Sequence, residues 1–191
     1  NHHYRRLFAS RVISNLGNGI QPIALAFGVL ALPGATASTL SIVLVATAIP
    51  LVVVLPFGGV IADRVGAARM ISITDIVVSA VIATEAVLFL TGTVTVPALV
   101  LLAVVVGVLN ALWSPAYPAL IMDVVSTEEH LQPANAYVSV ASNGGLIAGN
   151  AIGGLLVAAL GAGAAIAVDA ATFLVAGLLV FSFRHVSKPR H

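Results

Sequence analysis

Three carboxylic acids lie inside long apolar stretches of this sequence: Asp75, Glu85 and Asp169. An acid inside an apolar segment pairs with a base, faces water or takes up a proton, and it is a functional candidate by default. We therefore treat all three as candidate protonation sites and prefer Glu85 among them. Glu85 and Asp169 are expected at a similar depth in the membrane. The alternative to protonation is that the carboxyl extends to the outer interface. For Asp75 the favoured alternative is pairing with Arg69 or Arg64, which lie a short distance earlier in the chain.

Neutral polar side chains recur in the same apolar stretches at helical spacing. Residues three, four or seven positions apart share one face of a helix, and three such stripes are present: Ser14, Asn18 and Gln21; Asn110, Trp113 and Tyr117; Ser139, Asn143 and Asn150. Polar groups in hydrocarbon are costly unless they are paired or face water. Hydrogen bonding between helices and contact with a substrate are both open.

The composition says which elements must position these residues. The chain has 191 residues, of which 60% are hydrophobic and 8% are charged, whereas a soluble domain has about 25% charged residues. This excludes a soluble domain and a disordered chain, and a net charge of +1 excludes a nucleic-acid partner. The absence of cysteine excludes disulfides and thiolate-bound metals. The sequence therefore predicts an integral protein of the lipid bilayer.

Runs without charge divide the chain into membrane spans. Residues 12–62 and 131–168 contain no Asp, Glu, Lys or Arg, and each run is longer than the roughly 20 residues that one span needs. Pro and Gly mark turns within these runs. The prediction is an all-α membrane protein with six transmembrane helices, at about 8–32, 38–61, 70–91, 96–120, 135–159 and 163–183, and with a charged loop over 63–69.

The basic residues predict how the spans are oriented. With six spans, all eight Lys and Arg residues fall at the two termini and in the loop between spans 2 and 3. Loops rich in Lys and Arg stay in the cytoplasm. We therefore expect both termini to be cytoplasmic in a multi-pass protein of a bacterial inner membrane.

The two halves of the chain carry a short internal repeat. The residues Gly58, Gly59, Gly66 and Ala67 recur 95 positions later as Gly153, Gly154, Gly161 and Ala162. The repeat places the end of span 2 on the end of span 5, and these spans cross in opposite directions. It therefore predicts two three-helix units in a 3+3 inverted repeat, an arrangement that is common in transporters.

The segment between spans 2 and 3 carries a motif of glycines and charges, formed by Gly59, Asp63, Arg64, Gly66 and Arg69. At these residues the sequence resembles the major facilitator superfamily, whose signature loop occupies this place. The resemblance implies that the five residues latch two six-helix domains together and help to gate one side. A generic charged turn that only fixes topology is the alternative. The superfamily usually has more basic residues where this chain has Ala67 and Ala68.

Span 5 carries a second motif, formed by Gly145, Gly149, Asn150, Gly153 and Gly154. It is similar to the motif of the antiporter branch, with Asn150 where that branch usually has Pro. Small residues four apart also allow close helix packing, so a plain packing contact is the alternative. Segments 13–19, 110–118, 134–136 and 169–173 resemble the drug and siderophore exporter branch.

The resemblance implies the N-terminal six-helix half of a secondary transporter, with the C-terminal six-helix domain absent from this chain. It implies proton-coupled export of a small, fairly apolar molecule by alternating access. It also implies that spans 1 and 4 lie beside the central cavity, which makes these residues the candidate substrate-cavity residues: Asn18, Gln21, Asn110, Trp113 and Tyr117. The partner is the missing half or a second copy of the chain. A six-helix scaffold that does not transport, or a self-associating channel, is the alternative. No enzyme, cofactor or metal site is expected, because no phosphate-binding loop is present and the histidines lie in the termini and loops.

Overall fold

The computed structural model describes residues 2–124 and 131–183, and these fold into α-helices joined by short turns. Residues 125–130 and the segment from 184 onward lie outside the described residues. Within the described ranges, six helices are long and apolar enough to cross a membrane, which confirms the predicted all-α membrane fold. They are α1 (His2–Leu30), α2 (Ala37–Val65), α3 (Ala67–Thr91), α4 (Val96–Val124), α5 (Leu131–Leu160) and α6 (Ala162–Phe181).

The connection between α2 and α3 is much shorter than the sequence predicts. The expected charged loop over 63–69 is wrong, because only Gly66 interrupts the two helices. Gly66 has a φ of 93°, in a region open to glycine because it has no Cβ. Its amide donates to the Ala62 carbonyl at 2.8 Å, and its carbonyl accepts from Met70 N at 3.0 Å. The charged side chains on either side are compatible with helix because they are exposed.

The helix pattern repeats with the offset found in the sequence. Adding 95 to the first residues of α1, α2 and α3 gives 97, 132 and 162, and α4, α5 and α6 begin at 96, 131 and 162. The packing is symmetric under the same exchange, since α1 packs on α5 as α4 packs on α2, and α1 packs on α6 as α4 packs on α3. The one-residue turns at Gly66 and Gly161 are also equivalent positions.

The contact between α3 and α6 shows that the two units are inverted. Asp75 and Ile76 lie beside Gly177, and Leu90 lies beside Gly163, so residue numbers rise along α3 as they fall along α6. The two helices are equivalent in the repeat and run antiparallel. The arrangement therefore has the inverted symmetry that the sequence predicts.

The buried core lies where α1, α3 and α6 meet. Ile20 of α1, Val78 and Ile82 of α3, and Ile166 and Phe173 of α6 pack in one cluster. The Ser79 hydroxyl donates to the Ala170 carbonyl at 2.7 Å and joins α3 to α6. By contrast α2 and α5 present most of their surface outward. The polar side chains that face the interior from these helices, among them Ser79, Glu85 and Asp169, are therefore enclosed by protein.

Candidate functional site

Two adjoining cavities lie among α1, α2, α3, α4 and α6. One of about 290 Å³ is lined by Arg11, Asp75 and Trp113, and we call it the Arg11 cavity. The other, of about 340 Å³, is lined by Gln21, Glu85 and Asp169, and we call it the Glu85 cavity. The two are contiguous because five residues line both: Asn18, Leu51, Val78, Asn110 and Phe173.

The structure brings four of the five predicted cavity residues to these cavities. Asn18 and Asn110 line both, Gln21 lines the Glu85 cavity and Trp113 lines the Arg11 cavity. Tyr117 lines neither cavity. Its ring stacks on Trp113 with 5.0 Å between ring centroids and an interplanar angle of 12°. Tyr117 therefore contacts the Trp113 ring and does not itself line a cavity.

Arg11 lines the Arg11 cavity and is absent from the residues predicted for it from the sequence. Its guanidinium carbon lies 4.5 Å from the Trp113 ring centroid and 4.8 Å from that of Tyr117, within the range of a cation–π interaction. From the sequence, Arg11 is predicted only as one of the basic residues near the N-terminus. The signal was available, because Arg11, Ser14, Asn18 and Gln21 fall at i, i+3, i+7 and i+10 and so continue one polar stripe.

Asp75 has a different partner from the one expected. Pairing with Arg69 or Arg64 is wrong, because both of these arginines are exposed whereas Asp75 is buried, at 4% exposure. Asp75 instead lines the Arg11 cavity, where the charge of Arg11 and the indole of Trp113 act on its carboxyl. The physical reason is the direction of the side chain on α3, which faces α1 and α4 at this depth.

Glu85 and Asp169 both line the Glu85 cavity. Glu85 Oε2 accepts a hydrogen bond from the Gln21 side-chain amide at 3.0 Å. Asp169 is fully enclosed, at 0% exposure, and its Oδ1 lies 3.4 Å from the Thr172 hydroxyl. The same hydroxyl donates a shorter hydrogen bond, of 2.7 Å, to the Asp169 backbone carbonyl. Its hydrogen bond to the Asp169 carboxyl is therefore weak. The other oxygen of each acid has no hydrogen-bond partner within the described residues.

The residues of the predicted gating motif lie at the junction of α2 and α3. Asp63, Arg64 and Arg69 have exposed side chains, and among the described residues none of them makes an ion pair. Gly66 forms the turn, and Gly59 lies partly buried opposite Pro115 of α4. The charged groups thus face away from the chain's own core.

The glycine-rich motif of α5 divides between two faces of that helix. Gly145, Gly149 and Gly153 are buried against α1, and a Cβ at Gly149 would overlap the Leu16 carbonyl. Asn150 is exposed, and Gly154 has no neighbour that a Cβ would meet. From α1, Gly19 approaches the α5 backbone at Leu146 and Asn150. The packing contact between α1 and α5 is therefore real, whatever role Asn150 has.

The polar stripe of Ser139, Asn143 and Asn150 lies outside the cavities. All three side chains are exposed on α5, next to large apolar side chains such as Ile147, which is 70% exposed. This stripe therefore belongs to the outer surface of the bundle. Among the described residues, no three His, Cys, Asp or Glu side chains come together in a way that could hold a metal ion.

One comparison with known proteins identifies a family. Residues 1–191 match the family described as transmembrane secretion effector. No curated protein matches the chain.

Proposed function

The chain belongs to the transmembrane secretion effector family of major-facilitator-type transporters, and from this premise we propose that it exports a small, fairly apolar molecule by proton-coupled alternating access. In this proposal residues 1–191 form the N-terminal six-helix half. The other half is a C-terminal six-helix domain or a second copy of the chain. Transport follows from rocking of the two halves around a site near the middle of the membrane.

The observation that carries the proposal is that polar side chains of α1 and α4 lie within an apolar cavity. Asn18 and Asn110 line both cavities, while Leu25, Val43 and Phe173 supply apolar surface beside them. Binding sites for small molecules are mostly apolar, with a few placed polar groups that fix orientation. We assign Asn18, Gln21, Asn110 and Trp113 to substrate contact, and Tyr117 to support of Trp113.

The outward surface of α2 and α5 supports the need for a second half. These helices expose large apolar residues, among them Val52 at 69% and Ile147 at 70%. The exposed Ser139, Asn143 and Asn150 lie in the same outward surface of α5, and polar groups in lipid are costly. Contact with a partner domain on α5 would remove that cost.

The direction of transport and the orientation rest on the sequence. The α5 motif supports export, and the close contact of Gly145, Gly149 and Gly153 with α1 would make α5 move with the cavity lining. The distribution of Lys and Arg supports cytoplasmic termini in a bacterial inner membrane. The energy source is a proton gradient, for which Asp75, Glu85 and Asp169 are the candidate groups.

The test is dye transport into everted membrane vesicles that contain the full polypeptide as the cell makes it. Hoechst 33342, an apolar fluorescent dye, is the probe, and its accumulation is compared with and without an imposed proton gradient. We expect saturable accumulation that needs the gradient, and a fall of about tenfold in Asn18→Leu and Asn110→Leu, the loss equivalent to about one substrate hydrogen bond.

The matched control is Thr84→Leu, which replaces an exposed polar side chain of α3 that lines neither cavity. Flux that does not saturate and ignores the gradient would indicate a channel. A complete absence of dye flux together with stable capture of another membrane protein would indicate the scaffold.

The gating motif supplies an independent test. Asp63→Asn removes one exposed charge at the turn between α2 and α3, and we expect it to slow dye transport several-fold while leaving membrane insertion intact. Arg5→Gln, which removes an exposed charge elsewhere at this end of the bundle, is the control. Wild-type transport kinetics in Asp63→Asn would refute the gating role.

A further inference from the structure

We propose that Glu85 and Asp169 together form the proton-coupling site, holding one transferable proton between them, and that Asp75 is not part of it. This inference rests on the proposed function and deepens it. It turns three candidate acids into one working pair and one structural acid.

The pair is brought together by the antiparallel contact of α3 and α6. Asp75 and Ile76 lie beside Gly177, and Leu90 lies beside Gly163. Counting between these points places Glu85 level with residues 167–168, next to Asp169 in the chain. Both carboxyls line the Glu85 cavity, and the charge of Glu85 acts on Asp169.

The surroundings of the pair offer oxygen atoms and few donors. Three buried oxygens have no hydrogen-bond partner among the described residues: Gln21 Oε1, Glu85 Oε1 and Asp169 Oδ2. Two carboxylates in this setting would repel each other, and each would carry the cost of an unpaired buried charge. A single proton removes one of the charges and supplies a donor for one of the open oxygens.

No cation on the neighbouring helices takes the place of that proton. The polar groups that face the pair are neutral: Gln21 and Asn18 from α1, Thr47 from α2, Asn110 from α4 and Thr172 from α6. Helix α5 contains no charged residue. Arg11 lies on the other cavity, where its charge acts on Asp75. A metal ion fits poorly, because Ca²⁺ takes six to eight oxygen ligands and Mg²⁺ six.

The contacts of the pair indicate how a change in its protonation affects the rest of the protein. Gln21 donates to Glu85 from α1, and Gly17, one turn earlier on α1, lies against the Asp169 carboxyl and the Thr172 hydroxyl. When water enters the Glu85 cavity, the proton leaves a carboxyl O–H for water, giving hydronium and a second carboxylate. The new negative charge favours a conformation in which water reaches the pair beside α1. Return of the proton to a carboxylate oxygen favours a conformation in which the Glu85 cavity is closed to water.

The first test needs no substrate. Infrared difference spectra of the purified full polypeptide follow the C=O stretch of a carboxyl that is still protonated at about pH 6, where exposed carboxyls with a pKa of about 4 are already ionised, as the pH is raised further. We expect wild type to lose such a band, the double variant E85Q/D169N to lack it, and Asp75→Asn to keep it. A band that persists in the double variant, or that disappears in Asp75→Asn, would overturn the assignment.

A second variant guards against misfolding of the double variant. Gly17→Ala leaves every acid in place, but its Cβ would overlap the Asp169 carboxyl. It is expected to shift the pH at which the band disappears, whereas Gly154→Ala, where a Cβ meets nothing, is expected to leave it unchanged. Identical titrations in wild type and Gly17→Ala would count against the assignment.

The coupling itself is tested with Hoechst 33342 in everted vesicles. Coupling between two ligands typically corresponds to a factor of about 5 to 150, so we expect a gradient to stimulate wild-type accumulation about tenfold. In E85Q/D169N the stimulation should fall below about twofold. If wild type transports nothing, the proposed function fails while the infrared band still decides the proton site. If the double variant keeps full stimulation, the coupling assignment fails and the proposed function stands.

Discussion

The two cavities hold carboxyls of nearly equal burial in opposite surroundings. Asp75 is 4% exposed, Glu85 5% and Asp169 0%. Asp75 has a guanidinium close by, and Arg11 is held in place by two aromatic rings. Glu85 and Asp169 have an amide, a hydroxyl and each other. Burial alone thus does not say what a membrane acid does, because the partner decides whether its charge is part of the structure or free to be discharged.

The largest effect that separates the two sites is expected for Asp75→Asn. This change removes the negative charge that acts on Arg11 across the Arg11 cavity, and leaving a charged group uncompensated in a partly buried site costs about 1–3 kcal/mol. Since Arg11 is half-buried, we expect a loss of about 2–3 kcal/mol, seen as a lower thermal midpoint of the detergent-solubilised protein.

The double variant R11M/D75N is the control for this change, since it removes both charges. It should recover much of the lost stability. Equal midpoints for wild type and Asp75→Asn would mean that the two cavities do not differ in the way described.

At the Glu85 cavity, replacing an acid is expected to change stability in the opposite direction. Asp169→Asn is nearly isosteric, and no cation depends on Asp169, so the change removes an unpaired buried charge worth about 1 kcal/mol or more. The thermal midpoint at alkaline pH should therefore be unchanged or higher than that of wild type. A fall as large as that of Asp75→Asn would contradict the comparison, because it would reveal a partner that depends on the Asp169 charge.

A smaller effect is expected for the aromatic support of Arg11. Trp113→Leu removes the closer of the two rings, and a cation–π contact is worth about 0.5–2 kcal/mol. In the background of Arg11→Gln the same substitution should cost less, because the cation is gone. The difference between the two costs, measured as a double-mutant cycle of thermal or chemical unfolding, gives the contact energy. A difference of zero would mean that Arg11 does not depend on the ring.

The smallest effect is expected for Tyr117→Phe. The Tyr117 hydroxyl is buried and has no hydrogen-bond partner within the described residues, while its ring provides the stacking on Trp113. Removing only the hydroxyl should change the unfolding free energy by less than about 0.5 kcal/mol, in the stabilising direction. Tyr117→Leu, which removes the ring, should be clearly worse, and equal losses for the two variants would assign a role to the hydroxyl.

Much of the fold could be predicted because charge and helix length constrain a membrane protein strongly. Six spans follow from the uncharged runs, and the offset of 95 recovers the pairing of α1–α3 with α4–α6. The turn between α2 and α3 could not be predicted as a single residue. Charged side chains read as a loop in the sequence, whereas at the water-exposed end of a helix they are compatible with helical structure.

The site could be predicted in part for the same kind of reason. Helical spacing grouped Asn18 with Gln21 on span 1, and the family resemblance placed spans 1 and 4 beside one cavity. Counting along the spans predicted a similar depth for Glu85 and Asp169. The partner of Asp75 was beyond such counting, because it depends on which neighbouring helix its side chain meets. Sequence distance favoured Arg69, whereas the fold places Arg11 of α1 on the same cavity as Asp75.

The close contact of α5 with α1 limits which amino-acid substitutions this protein can accumulate during evolution. Any codon change that replaces a glycine adds at least one carbon atom, and at Gly149 that atom would collide with the Leu16 backbone carbonyl, which no side-chain adjustment relieves. At Gly154, five residues away, the same carbon meets nothing within this chain. Saturation mutagenesis followed by selection for function should therefore find nearly every substitution eliminated at Gly149 and many alleles surviving at Gly154, so that neighbouring glycines of one motif evolve at very different rates.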